Sequence, residues 1–227
     1  MIMARPRTYL AVLVALAAAA VYAAMWVGYR QDWRWLHRFD RSLLYAAHAI
    51  AVKHPIWVRL WAGVSFALGP VPLRLLGALA AVAAVVMRNV RAALVLLACA
   101  PLSGLVTVAA KALVNRPRPS TMLVPESSTS FPSGHALEAT AALLAMVCFV
   151  LPMLNRLSGR VVIAVAALSL LSVGVARVAL NVHYPSDVLA GWSLGYLYFL
   201  LCLLVFRPAM RPVALNNCGG RHLITAQ

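Results

Sequence analysis

Six charged or proton-carrying side chains fall within three short segments of this chain. Lys111 precedes Arg118-Pro119 by a fixed interval, Pro132-Ser133-Gly134-His135 follows, and Arg177 then leads to His183 and Asp187. Three cations, two histidines and one carboxylate make an inventory suited to phosphoryl chemistry. Lys and Arg hold phosphate oxygens, and the planar arginine fork engages two at once. An imidazole can attack phosphorus or carry a proton. A carboxylate four residues further on can fix the tautomer and orientation of that imidazole. A helix turn between His183 and Asp187 would put both on one face, with Pro185 at the first turn, where proline is tolerated. Ser133 is a good N-cap and Gly134 allows close backbone approach, at a helix N-terminus whose free N–H groups suit an anion.

Apolar elements must position these groups. The chain has 227 residues, of which 63% are hydrophobic and only 11% charged, and its mean hydropathy is +0.86. A soluble domain carries about 25% charged residues, so the composition indicates an integral membrane protein. The expected fold is all-α, a polytopic membrane helical bundle of about six transmembrane helices, with room for one compact unit. Uncharged stretches at 8–28, 92–110, 139–155, 161–176 and 188–206 suit spans of roughly 17–25 residues, the fourth being slightly short. Between 60 and 87 the run is broken by Gly69-Pro70, Pro72 and Arg74. Its second half, 71–87, reads as another span with Arg74 snorkelling toward the headgroups, and its first half as re-entrant or interfacial. Residues 1–29 read as an uncleaved first transmembrane helix, because the apolar run exceeds the roughly 7–15 residues of a signal peptide and shows no clean cleavage site. Residues 30–206 then form the membrane core, and 207–227 a flexible, basic cytoplasmic tail.

Charge narrows the partners. Twenty Lys and Arg against five Asp and Glu give +15. In a soluble protein that balance would suggest nucleic acid. Here the cations lie between apolar stretches, which suits loops, anionic headgroups or a phosphate site, so the expected partners are the bilayer and a membrane phospholipid or polyprenyl phosphate substrate, with no nucleic acid. Residues 30–59 combine Trp33, Trp35, Phe39 and Trp57 with six cations and read as an interfacial, lipid-anchoring segment. Cys99, Cys148, Cys202 and Cys218 show neither zinc-ligand spacing nor a disulfide framework. With the N-terminus inside, Arg5, Arg7, Arg88, Arg91, Arg156, Arg160, Arg207, Arg211 and Arg221 fall in cytoplasmic loops and tails. Alternating spans then bring the ends near Lys111, His135, Arg177 and Asp187 to one face, the extracytoplasmic one. Richness in Ala, Val and Arg points to a GC-rich bacterial genome.

The pattern Lys111-x6-Arg118-Pro119, Pro132-Ser133-Gly134-His135 and Arg177-x5-His183-x3-Asp187 resembles that of the type 2 phosphatidic acid phosphatase superfamily, which also includes vanadium haloperoxidases and glucose-6-phosphatase. With the topology, the likeness covers roughly residues 40–206. It departs at Ala176, where the family often has serine. The resemblance implies that His183 forms a phosphohistidine with Asp187 holding its other nitrogen, and that His135 serves as acid and then base. It implies that Lys111, Arg118, Arg177, Ser133 and the Gly134 amide bind phosphate, with no metal and no cofactor, and that vanadate inhibits. Arg116 also precedes a proline, two positions short of the family interval, and reads as a supporting residue or a headgroup contact. Glu138, one turn after His135, either orients it or faces a polar cavity. His37, His48, His54 and His222 fall outside the pattern.

The expected activity is a lipid phosphatase acting on polyprenyl diphosphate, phosphatidic acid or phosphatidylglycerol phosphate. A phosphotransferase on the same scaffold is the enzymatic alternative. A metal-dependent hydrolase ligated by His135, Glu138, His183 and Asp187 would require a divalent ion beside three cations. A channel, transporter or non-catalytic lipid-binding protein would have no need of all six side chains.

Overall fold

The computed structural model describes residues 6–206, and among them every regular element is helical. The elements are α1 (Pro6–Arg30), α2 (Arg34–Lys53), α3 (Pro55–Ala67), α4 (Pro70–Val86), α5 (Val90–Cys99), α6 (Ser103–Val114), α7 (Gly134–Val150), a short 3₁₀ turn (Leu151–Met153), α8 (Arg156–Ala179) and α9 (Pro185–Phe206). The tail expected at 207–227, with Cys218 and His222, lies outside the described residues, as does Arg5. Among the described residues, six segments are long and apolar enough to cross a membrane: Tyr9–Arg30, Pro55–Val86, Val90–Val114, Gly134–Met153, Arg156–Ala179 and Pro185–Phe206. The protein is therefore a multi-pass membrane protein, and α2 is the amphipathic helix between the first two spans.

Two spans are broken by proline, which removes a backbone donor and crowds the preceding turn. The second divides at Gly69-Pro70, as the sequence suggests, into α3 and α4. The third was expected to run unbroken through 92–110, yet α5 stops at Cys99 and α6 begins at Ser103, on either side of Pro101. Ser103 Oγ donates to the Ala100 carbonyl at 2.8 Å and satisfies one of the freed acceptors.

Close packing of α7 on α9 forms the centre of the bundle. In lipid the contact between helices relies on small residues that let backbones approach. Gly191 and Gly195 on α9 supply them. A Cβ on Gly195 would stand 2.4 Å from the Leu137 carbonyl oxygen, and one on Gly191 would stand 2.6 Å from that of Ser133. Around this seam Ala139, Ala141, Ala142 and Ala145 are buried, and Leu96, Cys99, Phe199 and Cys202 fill the core farther along the helices. At the other end Met25, Leu36, Val114, Phe131 and Ala190 join α1, α2, α6 and α9. Leu75, Leu79 and Val82 of α4 and Leu105 and Val108 of α6 remain exposed, as expected of a lipid-facing surface.

Arg74 does not snorkel. Its Nη2 lies 2.7 Å from Glu138 Oε2, with Nε donating to the same oxygen at 2.9 Å, while Thr107 Oγ1 donates to Oε1 at 3.2 Å. A carboxylate inside a span requires a partner, and Arg74 is the cation within reach.

Candidate active site

The C-terminal ends of α6 and α8 and the N-terminal ends of α7 and α9 meet at one end of the bundle, joined by the loop at 115–133 and the turn at 180–184. Asn115 ends α6 with φ 50° and ψ 43°, and Asn181 turns the chain after α8 with φ 54°. Both are left-handed conformations that Asn tolerates well. Thr121 Oγ1 donates to Asn181 Oδ1 at 2.9 Å and the Leu123 N–H to the Leu180 carbonyl at 3.1 Å. The loop is thereby pinned to the turn.

His183 and Asp187 come together differently from the sequence expectation. His183 lies in the turn before α9, not on the helix. Pro185 occupies the first helical position and biases Tyr184 toward extended backbone. Tyr184 becomes the N-cap residue, and Asp187 Oδ2 reaches back to accept its N–H at 2.9 Å, as the third residue of a capping box does. That turn leaves Asp187 Oδ2 3.5 Å from His183 Nδ1.

The cations surround the other side of the imidazole. Arg118 Nη1 lies 3.2 Å from His183 Nε2 and donates to the Val182 carbonyl at 2.7 Å. Arg177 Nη1 donates to Ser65 Oγ at 2.8 Å and stands 3.5 Å from His135 Nε2. The Lys111 ammonium donates to the Thr129 carbonyl. Ser133 occupies the N-cap position of α7, but its Oγ caps nothing. Among the described residues that oxygen is buried with no hydrogen-bond partner, as is Arg177 Nε, and the Ser133 N–H instead donates to the Asp187 carbonyl at 2.9 Å. A Cβ on Gly134 would stand 2.7 Å from Thr107 Cγ2 on α6, so the glycine lets α6 and α7 approach without displacing that side chain. All eight residues singled out from the sequence thus gather at one end of the bundle.

Burial, with Arg177, Arg118 and Lys111 nearby, holds His183 well below the ordinary imidazole range. It is neutral near pH 7, the form in which a ring nitrogen is nucleophilic.

Two residues join the cluster that motif spacing did not place there, Glu126 and Arg116. Glu126, from the loop, accepts a hydrogen bond from Arg177 Nη2 and lies 3.4 Å from Arg118 Nη2. Burial opposes its charge, but the hydrogen bond and charge of Arg177, together with Arg118, outweigh it and hold the carboxyl below its usual range. Arg116 makes no headgroup contact; it is 3% exposed and pairs with Asp187 and Asp40. Glu138 does not orient His135, because its oxygens are committed to Arg74 and Thr107. The legible signal was scarcity: with only five acidic residues against twenty basic ones, each carboxylate invites a search for its partner. Among the described residues no three His, Cys, Asp or Glu are grouped so as to hold a metal ion.

The fold and this cluster define a helical membrane protein with cations, imidazoles and a carboxylate converging where four helix ends meet. The chain belongs to the PAP2 superfamily, whose profile matches residues 92–211. Phosphatidylglycerophosphatase B of Bacillus subtilis (strain 168) is 42% identical over 95 residues. That match takes in 40% of this chain and 46% of the relative, so the chain spans less than half the length of the curated relative it matches. A crystal structure of a transmembrane PAP2-type phosphatidylglycerolphosphate phosphatase from Bacillus subtilis superposes with a TM-score of 0.69 at 27% identity, covering 88% of this chain and 98% of that one. Family, fold and both relatives support a phosphoric ester hydrolase.

Proposed function

We propose that this protein is a metal-independent lipid phosphatase that works through a phosphohistidine on His183, with phosphatidylglycerol phosphate as its foremost substrate. The observation that carries the reading is the placement of His183. Nε2 faces Arg118 at 3.2 Å while Nδ1 faces Asp187 at 3.5 Å, so one nitrogen is presented among cations and the other is turned to a carboxylate. The substrate comes from the two relatives, both phosphatidylglycerophosphate phosphatases by name. Phosphatidic acid and polyprenyl diphosphate present the same terminal phosphate and are the comparison substrates.

In this reading Lys111, Arg118 and Arg177 hold the phosphate oxygens with the Ser133 hydroxyl and the Gly134 amide at the start of α7. Positioning and charge stabilisation are the main tasks in phosphoryl transfer. His183 Nε2 attacks phosphorus, the bond to the lipid oxygen breaks, and that oxygen takes a proton from His135. Water then attacks the phosphohistidine, the P–N bond breaks, and the water's proton passes to His135 as inorganic phosphate leaves. Asp187 keeps the Nδ1–H tautomer throughout. Three cations in place repel a divalent ion, and Glu138 is already bound to Arg74, so the rival metal ligand set lacks a member. The site end is assigned to the extracytoplasmic face, because Arg88, Arg91, Arg156 and Arg160 lie in or beside short connections at the opposite end.

The test is phosphate release from detergent micelles of each of the three lipids, in excess EDTA, by the wild type and folded His183→Ala and His135→Ala variants. Chelator-resistant release, greatest from phosphatidylglycerol phosphate and lost in His183→Ala, is expected. His135→Ala should fall by about 10²–10⁴-fold, the contribution of a positioned acid. Release that EDTA abolishes, or that survives in His183→Ala, would overturn the mechanism. Label appearing on a second lipid in place of free phosphate would mark a transferase.

A further inference from the structure

The Asp187 carboxylate is held from two sides. Oδ2 takes the Tyr184 N–H and faces His183, whereas Oδ1 accepts from Arg116 Nη1 at 2.6 Å. Arg116 does not stop there. Nη1 also reaches Ser186 Oγ at 2.8 Å, and Nη2 donates to Asp40 Oδ2 at 2.8 Å. Asp40, from α2, accepts the Ser186 N–H on Oδ1 at 2.9 Å and the Ser186 hydroxyl on Oδ2 at 2.6 Å. The guanidinium lies between the Tyr184 ring, 3.9 Å from its centroid, and the Tyr29 ring at 4.7 Å. Asp40, Arg116, Ser186 and Asp187 are all buried.

Each link has a physical reason. Tyr184 stands at the N-cap of α9, where its phenolic oxygen is too far from the backbone to cap the first turn as Ser or Asp would. Asp40 fills that vacancy from another helix by accepting the Ser186 N–H. Arg116 then bridges two buried carboxylates that would repel each other without it. It engages Asp187 through the oxygen away from His183, leaving Oδ2 for the imidazole. Burial disfavours the Arg116 charge, but Asp187 and Asp40 more than offset it and hold its proton more tightly than usual. A lysine could reach one carboxylate but lacks the fork that spans both.

We propose that Asp40 and Arg116 are positioning residues that fix the Asp187 carboxylate against His183, so that the amphipathic helix α2 takes part in catalysis from outside the sequence motifs. This rests on the phosphohistidine reading. Neither residue stands among the groups proposed to touch phosphate, so their loss should slow the chemical step and spare substrate binding.

The experiment compares the full chain with Arg116→Lys, Asp40→Asn and the double variant, on detergent micelles of phosphatidylglycerol phosphate. It measures kcat, KM and the inhibition constant of inorganic phosphate. Arg116→Lys should lose about 10²-fold in kcat, the scale of a small misplacement at a reacting centre. Asp40→Asn, which keeps the side-chain shape, should lose about tenfold, and the double variant should be no worse than Arg116→Lys because the two act in series. KM and the phosphate constant should stay within about twofold, since uniform binding is untouched. A general loosening of the fold would raise both and would multiply the two losses. A kcat within about threefold of wild type in both single variants, a KM effect without a kcat effect, or multiplying losses would overturn the inference. If Arg116→Lys does not fold, Asp40→Asn decides by the same criteria. A wild type that releases no phosphate, or loses none on His183→Ala, would instead remove the phosphohistidine reading and this inference with it.

Discussion

At the scale of single residues, the three cations are already occupied by the protein itself. Arg177 and Arg118 share the Glu126 carboxylate, Arg118 also donates to the Ser128 carbonyl and hydroxyl, and Lys111 to the Thr129 carbonyl. A phosphate bound by the Nη2 groups of those arginines would compete with Glu126. Replacing an ionised acceptor by a neutral one removes about 1 kcal/mol of hydrogen-bond strength. Glu126→Gln should therefore let vanadate inhibit phosphate release at about fivefold lower concentration. A higher vanadate requirement in that variant would show that Glu126 helps to form the anion site and does not compete for it. The same neighbourhood shows what a sequence can reveal at this scale. The eight motif residues were legible because their types and spacing state a chemistry, and they do meet. Asp40 was not, because its partners lie 76 and 146 positions away and no local pattern links them. Arg116 and Arg118 look alike in the string Arg-Pro-Arg-Pro, yet one turns inward to carboxylates and the other toward His183. That choice depends on α2 and the turn before α9, which only the fold supplies.

At the scale of elements, the spans were legible from apolar length, and their interruptions only in part. Gly69-Pro70 announced a break because two residues unsuited to a continuous helix stand together with Pro72 nearby. Pro101 lies in a run apolar enough to hide it, and the third span proved to be two helices. The spacing of Gly191 and Gly195 also carried a message that hydropathy does not read. Their missing side chains allow α9 to lie against the Ser133 and Leu137 carbonyls of the segment that carries His135. Gly195→Ala would place a methyl 2.4 Å from the Leu137 carbonyl oxygen. Backbone cannot yield as a flexible side chain can, so overpacking should cost about 1–3 kcal/mol. The variant should melt at lower temperature in detergent. It should also lose kcat, because α7 carries His135 and α9 carries Asp187. An unchanged melting temperature would mean that the two helices separate without cost and that the close seam does not hold the site together.

At the scale of the whole molecule, even-numbered spans leave two sets of connections, and the charges on them differ in what they do. At the end away from the site, Arg88 sits in the turn before α5, and Arg91, Arg156 and Arg160 at the N-terminal ends of α5 and α8, beside short connections where lysine and arginine mark the cytoplasmic side. The site end holds at least as many cations, but Lys111, Arg116, Arg118 and Arg177 are engaged by carboxylates and carbonyls. Arg34, Arg38 and Arg41 lie exposed on α2, a helix that does not itself cross, where they suit anionic headgroups. Counting only short connections between spans supports the proposed placement of the site end away from the cytoplasm. Cysteine labelling in intact cells tests this directly. Ser127 is exposed in the site loop and Met153 is exposed at the opposite end, and neither belongs to the proposed machinery. Ser127→Cys should react with a membrane-impermeant maleimide added outside, and Met153→Cys only after the membrane is opened. The reverse pattern would place the phosphate cluster on the cytoplasmic face. The chemistry proposed at His183 would be unaffected, but its lipid substrate would have to reach it from the inner leaflet.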